Sequence, residues 1–236
     1  MSSMLTSATS RYPKDVACVN IFCEDASVSA PKPYHHENLR RTLLDAAVAL
    51  IGEVGPRAFT LREVARRAGV SHNAPYRHFA NKDELLVAVA AEGFDQLAAC
   101  MEERLAPGRT PMERLQLCGQ GYVEFALRWP NHLLAMFDLP LELRAACPPD
   151  KQVGRNAFDV LLNCVLSAQA AGSLPPGDPM PTALACWSMV HGIAKLAVSG
   201  NLPMDAAATL DFTLWAAQRL SHALGTPAKS AAQGAT

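Results

Sequence analysis

An all-helical protein is what this sequence predicts, and three observations carry the prediction. Half of the 236 residues are apolar and 6% are aromatic; Ala and Leu dominate while β-branched residues are sparse, a composition that favours helices over sheets. Apolar residues recur at three- and four-residue spacing, and no stretch shows the alternation of a half-buried strand. Helix-start signatures punctuate the chain, with Thr60-x-x-Glu63, Asn81-x-x-Glu84 and Thr110-x-x-Glu113 each opening an apolar-periodic run.

Residues 1–36 are rich in Ser, Ala, Pro and Thr without sustained periodicity and read as a disordered extension; residues 225–236 read as a disordered tail. A first helix follows the extension, because Leu39, Leu43, Ala46, Ala47, Leu50, Ile51 and Val54 share one face before Gly55 stops the run. A short second helix begins at Thr60, turns Leu61, Val64, Ala65 and Ala68 inward and ends at Gly69. Ser71 is placed to cap a third. Pro75 then falls at its fourth position, at the edge of the first turn, where a missing N–H costs little. Asn81 starts a long fourth helix that carries Leu85, Leu86, Val89, Phe94, Leu97 and Met101 toward Leu105. Pro107 and Gly108 break the chain, and Thr110 with Pro111 restarts it through about Trp129. Pro130, Pro140, Pro148 and Pro149 divide the next stretch, Asp150 opens a helix running to Gly172, and two apolar helices follow at about 182–199 and 204–224.

Charge separates the chain into two modules. The formal net charge is −1, yet residues 37–82 carry eight basic against four acidic residues, while residues 83–236 carry ten against fifteen. A basic module ahead of a mildly acidic one is expected if only the first meets a polyanion. The seven cysteines are scattered without a CxxC pair, the usage of reduced intracellular thiols, with a redox-sensing role left open. The N-terminus has no uninterrupted apolar run, and no window approaches the ~18 apolar residues of a membrane span, so a soluble, cytoplasmic protein without membrane contact is expected.

Two short helices joined by Ala68, Gly69, Val70 and Ser71 have the spacing of a helix-turn-helix, whose second helix enters the DNA major groove. His72 and Asn73 stand at the leading end of that helix, and an Asn side chain pairs with adenine through two hydrogen bonds. Tyr76, His78 and Lys82 lie further back, with a hydroxyl, an imidazole N–H and an ammonium suited to phosphate oxygens. Pro75 is a candidate for contact with a thymine methyl. Each residue also has a plainer reading: an arginine of the second helix as a solvated charge, Tyr76 as a partner of Phe79. His72 and His78 have no neighbouring Cys or carboxylate to complete a metal site. The chain also lacks a P-loop, a dinucleotide-binding glycine pattern, HExxH and GxSxG, so neither enzymatic activity nor a cofactor or metal is expected.

The stretch TLREVARRAGVSHNAPYRHFANKDEL, with Tyr76, Phe79, Lys82, Asp83, Glu84 and Leu85 in its second half, resembles the DNA-binding signature of the TetR family of transcriptional regulators. The resemblance covers about residues 37–90. It implies a three-helix DNA-binding domain, here residues 37–82, joined by a long fourth helix to an all-helical effector-binding and dimerisation domain, here residues 83–224. By that resemblance Thr60, Arg62, Ser71, Tyr76, His78 and Lys82 contact phosphate or sugar, and His72, Asn73 and Arg77 read bases. It also implies a homodimer, more often a repressor than an activator, on a near-palindromic double-stranded operator.

Trp187, His191 and Gly192 form a Trp-x-x-x-His-Gly pattern similar to a TetR subgroup named for those residues. His191 reads equally as a core histidine or as a ligand contact. The last two helices are apolar around much of their circumference and must bury more than one face; Trp187, Val190, Ile193, Leu210, Leu214 and Trp215 are the expected dimer contacts. The middle helices are expected to line an effector pocket, with Phe94, Met101, Cys118, Tyr122, Phe125, Met136, Phe137, Phe158 and Leu162 as candidates beside His191. Scarce charge among them points to an uncharged, mostly apolar small molecule. The rival readings are a redox- or metal-responsive helical binding protein, or an adaptor whose helix-turn-helix no longer binds DNA.

Overall fold

Helices account for all the regular structure in the computed structural model, which describes residues 36–138 and 155–225. In chain order they are α1 (His36–Val54), α2 (Leu61–Arg67), a 3-10 turn (Pro75–Arg77), α3 (Lys82–Glu103), α4 (Pro111–Arg128), α5 (Pro130–Phe137), α6 (Arg155–Ala170), α7 (Met180–Val198) and α8 (Ala206–Gly225). Among the described residues there is no strand. The two ends, the helix start expected at Asp150, and Pro140, Pro148 and Pro149 lie outside the described residues.

The caps act where the sequence places them. Thr60 Oγ1 accepts from the Glu63 N–H at 3.3 Å while Glu63 Oε2 accepts from the Thr60 N–H at 2.7 Å, and Thr110 and Glu113 repeat the exchange at 3.2 and 2.8 Å. Each pair satisfies two backbone donors that a helix start leaves without partners. At Asn81 half of the pattern changes: Asn81 Oδ1 accepts from the Glu84 N–H at 2.9 Å, but the Glu84 carboxylate reaches back one residue further, to the Ala80 N–H at 2.6 Å.

The third helix is the one element that differs in kind. In place of an α-helix capped by Ser71, residues 74–78 form a run of tight i to i+3 bonds: the Ala74 N–H to Ser71 O, Arg77 to Ala74 O and His78 to Pro75 O. No side chain caps the turn. The physical reason is Pro75, which has no N–H to give Ser71 O and so removes the bond that would begin an α-turn.

Leu43, Ala47, Ile51, Val64, Phe79 and Leu85 close the core of the N-terminal unit, each at most 2% exposed. Burying a side chain of the Leu or Phe kind contributes about 1.5–3 kcal/mol. In the larger unit α4 is central and packs on α3, α5, α6, α7 and α8. Its Gly121 lets α3 approach closely, since a Cβ there would lie 2.6 Å from Cys100 O and 2.9 Å from Met101 Cα. The two units are held together by α1, which packs on both α3 and α5.

Candidate functional site

Residues 60–82 form the first candidate surface. Gly69, at φ 68°, adopts the left-handed conformation that ends α2. Its N–H bonds Arg66 O at 3.2 Å and the Val70 N–H bonds Ala65 O at 3.0 Å, closing the helix-ending turn. Ser71, His72 and Asn73 emerge from this corner as three consecutive exposed residues, followed by Tyr76 and Arg77 on the outer side of the 3-10 turn. Tyr76 is 52% exposed, so it is not a core partner of Phe79; the cation of Arg40 stands over that buried ring at 5.4 Å.

Four expected contacts sit differently from the others. Pro75 is buried, its apolar ring packed beneath the turn, which removes it from the surface offered to a base. Lys82 points back into its own unit, where its ammonium donates to Arg57 O at 2.9 Å and Phe59 O at 3.0 Å. The Thr60 hydroxyl donates to Glu63 at 2.9 Å. His78 is half-buried, and its Nε2 has no hydrogen-bond partner. Of the surrounding arginines, Glu53 holds Arg67 at 2.6 and 2.7 Å, whereas Arg62, Arg66 and Arg77 are exposed and make no ion pair among the described residues.

The second candidate site is a cavity of about 220 Å³ between α3, α4, α6, α7 and α8. Of the expected lining, Phe94, Met101, Cys118, Tyr122, Phe137 and Phe158 face it. Phe125 and Met136 are fully buried elsewhere in the core and, like Leu162, do not line it. Trp187 and Val190, expected at a dimer interface, also line the cavity. Gln116, Gly119, Met189, Leu220 and Ser221 also contribute and were not foreseen. The signal was present in part, because Leu115, Cys118 and Tyr122 follow one another at i, i+3 and i+7 and draw Gln116 and Gly119 into the same wall.

Among the described residues no charged side chain lines this cavity. Its aromatic end is built by Phe137, which stands 5.7 Å from the Phe94 ring and 6.3 Å from Trp187, with Phe158 edge-on to Trp187 at 6.2 Å. His191 lies behind this wall, 4.5 Å from the Phe137 ring, with Nδ1 2.9 Å from the Tyr122 hydroxyl. Burial pushes the Tyr122 phenol well up and the His191 imidazole down, so both are neutral near pH 7. The direction of the Tyr122–His191 bond is set by the imidazole tautomer, since the phenol can donate to or accept from Nδ1. At the other end Gln116 Nε2 donates to Ser221 Oγ at 2.9 Å.

A charged cluster joins the two sites. Arg41 of α1 donates to Asp45 and, at 2.8 Å, to Glu92 of α3. Glu92 lies 3.5 Å from Nε2 of buried His132 on α5. One helical turn later α5 ends at Phe137, in the cavity wall. On the far side, Leu184 (43% exposed), Leu196 (47%) and Trp215 (53%) leave an apolar strip along α7 and α8, while Val190 and Ile193 are buried within the chain and Leu210 and Leu214 are half-buried. None of the described helices is long and apolar enough to cross a membrane. Among the described residues no group of three or more His, Cys, Asp or Glu side chains is arranged to hold a metal.

Known proteins match both units. Residues 43–89 match the family described as bacterial regulatory proteins, tetR family, and residues 115–217 match the tetracyclin repressor-like C-terminal domain. The chain is 37% identical over 114 residues to the HTH-type transcriptional repressor KstR of Rhodococcus jostii, which is 48% of this chain and 50% of that protein. It is 33% identical over 102 residues to the fatty acid metabolism regulator protein of Bacillus subtilis, 43% of this chain and 51% of that one. The matches thus span about half the length of these curated relatives. A solved structure from Rhodococcus sp. RHA1, of a protein of unknown function, is 32% identical with a TM-score of 0.69, covering 83% of this chain and all of that one. With the helix-turn-helix and the C-terminal bundle each matched in chain order, this protein belongs to the TetR family of bacterial regulators.

Proposed function

We propose that the chain is a homodimeric transcriptional regulator without enzymatic activity, a repressor released from a near-palindromic double-stranded operator by a small, uncharged, mostly apolar molecule. One observation carries the reading: an exposed turn flanked by arginines and an aromatic cavity with no charged side chain among the described residues are linked through α1, which packs on α2 and on both α3 and α5. In this reading residues 37–82 bind DNA, residues 83–224 bind ligand and dimerise, and the protein works in the cytoplasm. His72, Asn73 and Arg77 face bases, and Arg62, Ser71 and Tyr76 face the backbone. Thr60, His78 and Lys82, each engaged or partly covered, orient the unit as much as they touch DNA. The repressor sign rests on relatives such as KstR, a named repressor.

The coupling runs through α5. A ligand lodged against Phe137 displaces α5, and α5 carries Asn131 and His132 against α1. A Cβ on Gly52 of α1 would stand 2.5 Å from Asn131 Nδ2, so the Asn131 side chain of α5 lies directly against the α1 backbone. A ligand that fits only the displaced arrangement shifts the population toward a pose in which the paired turns no longer match successive major grooves. Salt dependence tests the DNA-binding half. A dimer neutralising several phosphates per half-site should lose roughly a thousandfold in affinity between ~50 and ~200 mM salt; affinity that ignores salt would overturn the reading.

A further inference from the structure

The aromatic cavity has a polar corner whose hydrogen-bonding capacity is only partly used. Gln116 of α4 and Ser221 of α8 meet there, and both belong to the lining. Ser221 Oγ donates to Gln218 O of its own helix at 3.1 Å, so its proton is committed and toward Gln116 it can only accept. Gln116 Nε2 supplies that bond at 2.9 Å. The pairing fixes the amide orientation, with nitrogen toward Ser221 and the carbonyl turned from it. Gln116 makes no other hydrogen bond among the described residues. Its Oε1 and its second N–H are therefore left as one acceptor and one donor on the same planar group.

The rest of the wall sets the size and character of what can enter. The Tyr122 hydroxyl is already engaged with His191 Nδ1 at 2.9 Å, and Phe94, Phe137, Phe158 and Trp187 build an end of packed rings. Tyr122 follows Gln116 by six positions on α4, about 9 Å of helix rise, so the polar corner and the ring-lined end lie well apart. The cavity holds about 220 Å³. An apolar cavity of about 150 Å³ accepts one benzene ring, which leaves room here for a ring and about three or four further heavy atoms.

We infer that the cavity takes a single-ring aromatic molecule whose short side chain ends in one neutral group that both donates and accepts hydrogen bonds, a hydroxyl or a primary amide, and that Gln116 selects it. The inference rests on the reading of this cavity as the ligand site and names the class of ligand. The ring packs among the aromatic side chains, and the end group exchanges hydrogen bonds with the Gln116 amide. A hydrocarbon of the same shape strips water from that amide and returns no bond. A carboxylate fares worse. It sets negative oxygens against Oε1 with no cation in the described lining to offset its lost hydration.

The test is calorimetric titration of the full-length chain at pH 7.5 with 3-phenylpropan-1-ol, propylbenzene, ionised 3-phenylpropanoate and 3-(1-naphthyl)propan-1-ol. The single-ring alcohol should bind tightest, propylbenzene roughly tenfold more weakly, and the carboxylate and the two-ring alcohol more weakly than the single-ring alcohol. In Gln116→Leu the alcohol should lose its advantage while propylbenzene binds at least as well as before; Gln116→Met, with an unbranched side chain, replaces it if Leu disturbs the fold. Equal wild-type affinity for the alcohol and propylbenzene, tighter binding of the carboxylate or the two-ring alcohol, binding of none of the four, or an advantage that survives at position 116 overturns the inference. Operator affinity is measured separately on the same samples. If the alcohol binds as expected and operator affinity does not respond, the ligand class stands and the ligand-released repressor reading falls.

Discussion

Asn73 and Pro75 stand two residues apart and face opposite ways, the first exposed and the second buried. Sequence spacing placed both at the front of a reading element. It could not tell that a proline beginning a 3-10 turn would pack its ring inward, because that depends on the bond Ser71 O loses. Asn73→Ala is expected to cost about 1–3 kcal/mol on the preferred operator and little on random DNA, measured by titration at fixed salt. An equal loss on both would make Asn73 a positioning residue. Two histidines set a pH dependence. Burial is the main cause holding His132 and His191 below the ordinary imidazole value. The folded chain therefore binds their protons less readily than the unfolded chain does. The sign follows: stability is fully present above the ordinary value of ~6.5 and is lost as pH falls through the lower folded values. Melting temperature should drop between about pH 7 and pH 5, and replacing both histidines with Gln should flatten that slope. An unchanged slope in the double variant contradicts the assignment.

Most helices were legible because their starts are written in the chain: Thr60, Asn81 and Thr110 each cap the helix predicted for them. The cavity was less so. Periodicity tells which face of a helix turns inward, but not whether side chains meet across the core or leave space. That is why Tyr122 lines the cavity while Phe125, one turn on, is packed solid. The same limit hid that Trp187 and Val190 wall the cavity. Gly121 marks where close packing has no tolerance, because its neighbours are backbone atoms of α3 rather than flexible side chains. Gly121→Ala should destabilise the chain by about 1–3 kcal/mol in denaturant unfolding, through forced separation of α3 and α4. A neutral result would mean that the two helices slide apart freely.

Among the described residues the charge divides as the sequence implies, with Arg62, Arg66 and Arg77 exposed and without ion pairs and no charged side chain lining the cavity of the larger unit. Leu184, Leu196 and Trp215 form an exposed apolar strip, and in the proposed dimer twofold pairing there would set two reading turns against successive grooves. Leu184→Glu combined with Leu196→Glu should yield monomers in sedimentation and should weaken operator binding far more than the folding of either unit. Dimers that persist in that variant would place the interface elsewhere. The regulatory reading stands or falls on selection of bound sequences from a random DNA pool by the full-length chain at fixed salt. It predicts enrichment of a twofold-symmetric sequence whose half-sites lie about 10 base pairs apart, roughly 34 Å; enrichment of no sequence, or of a single asymmetric site, would contradict it.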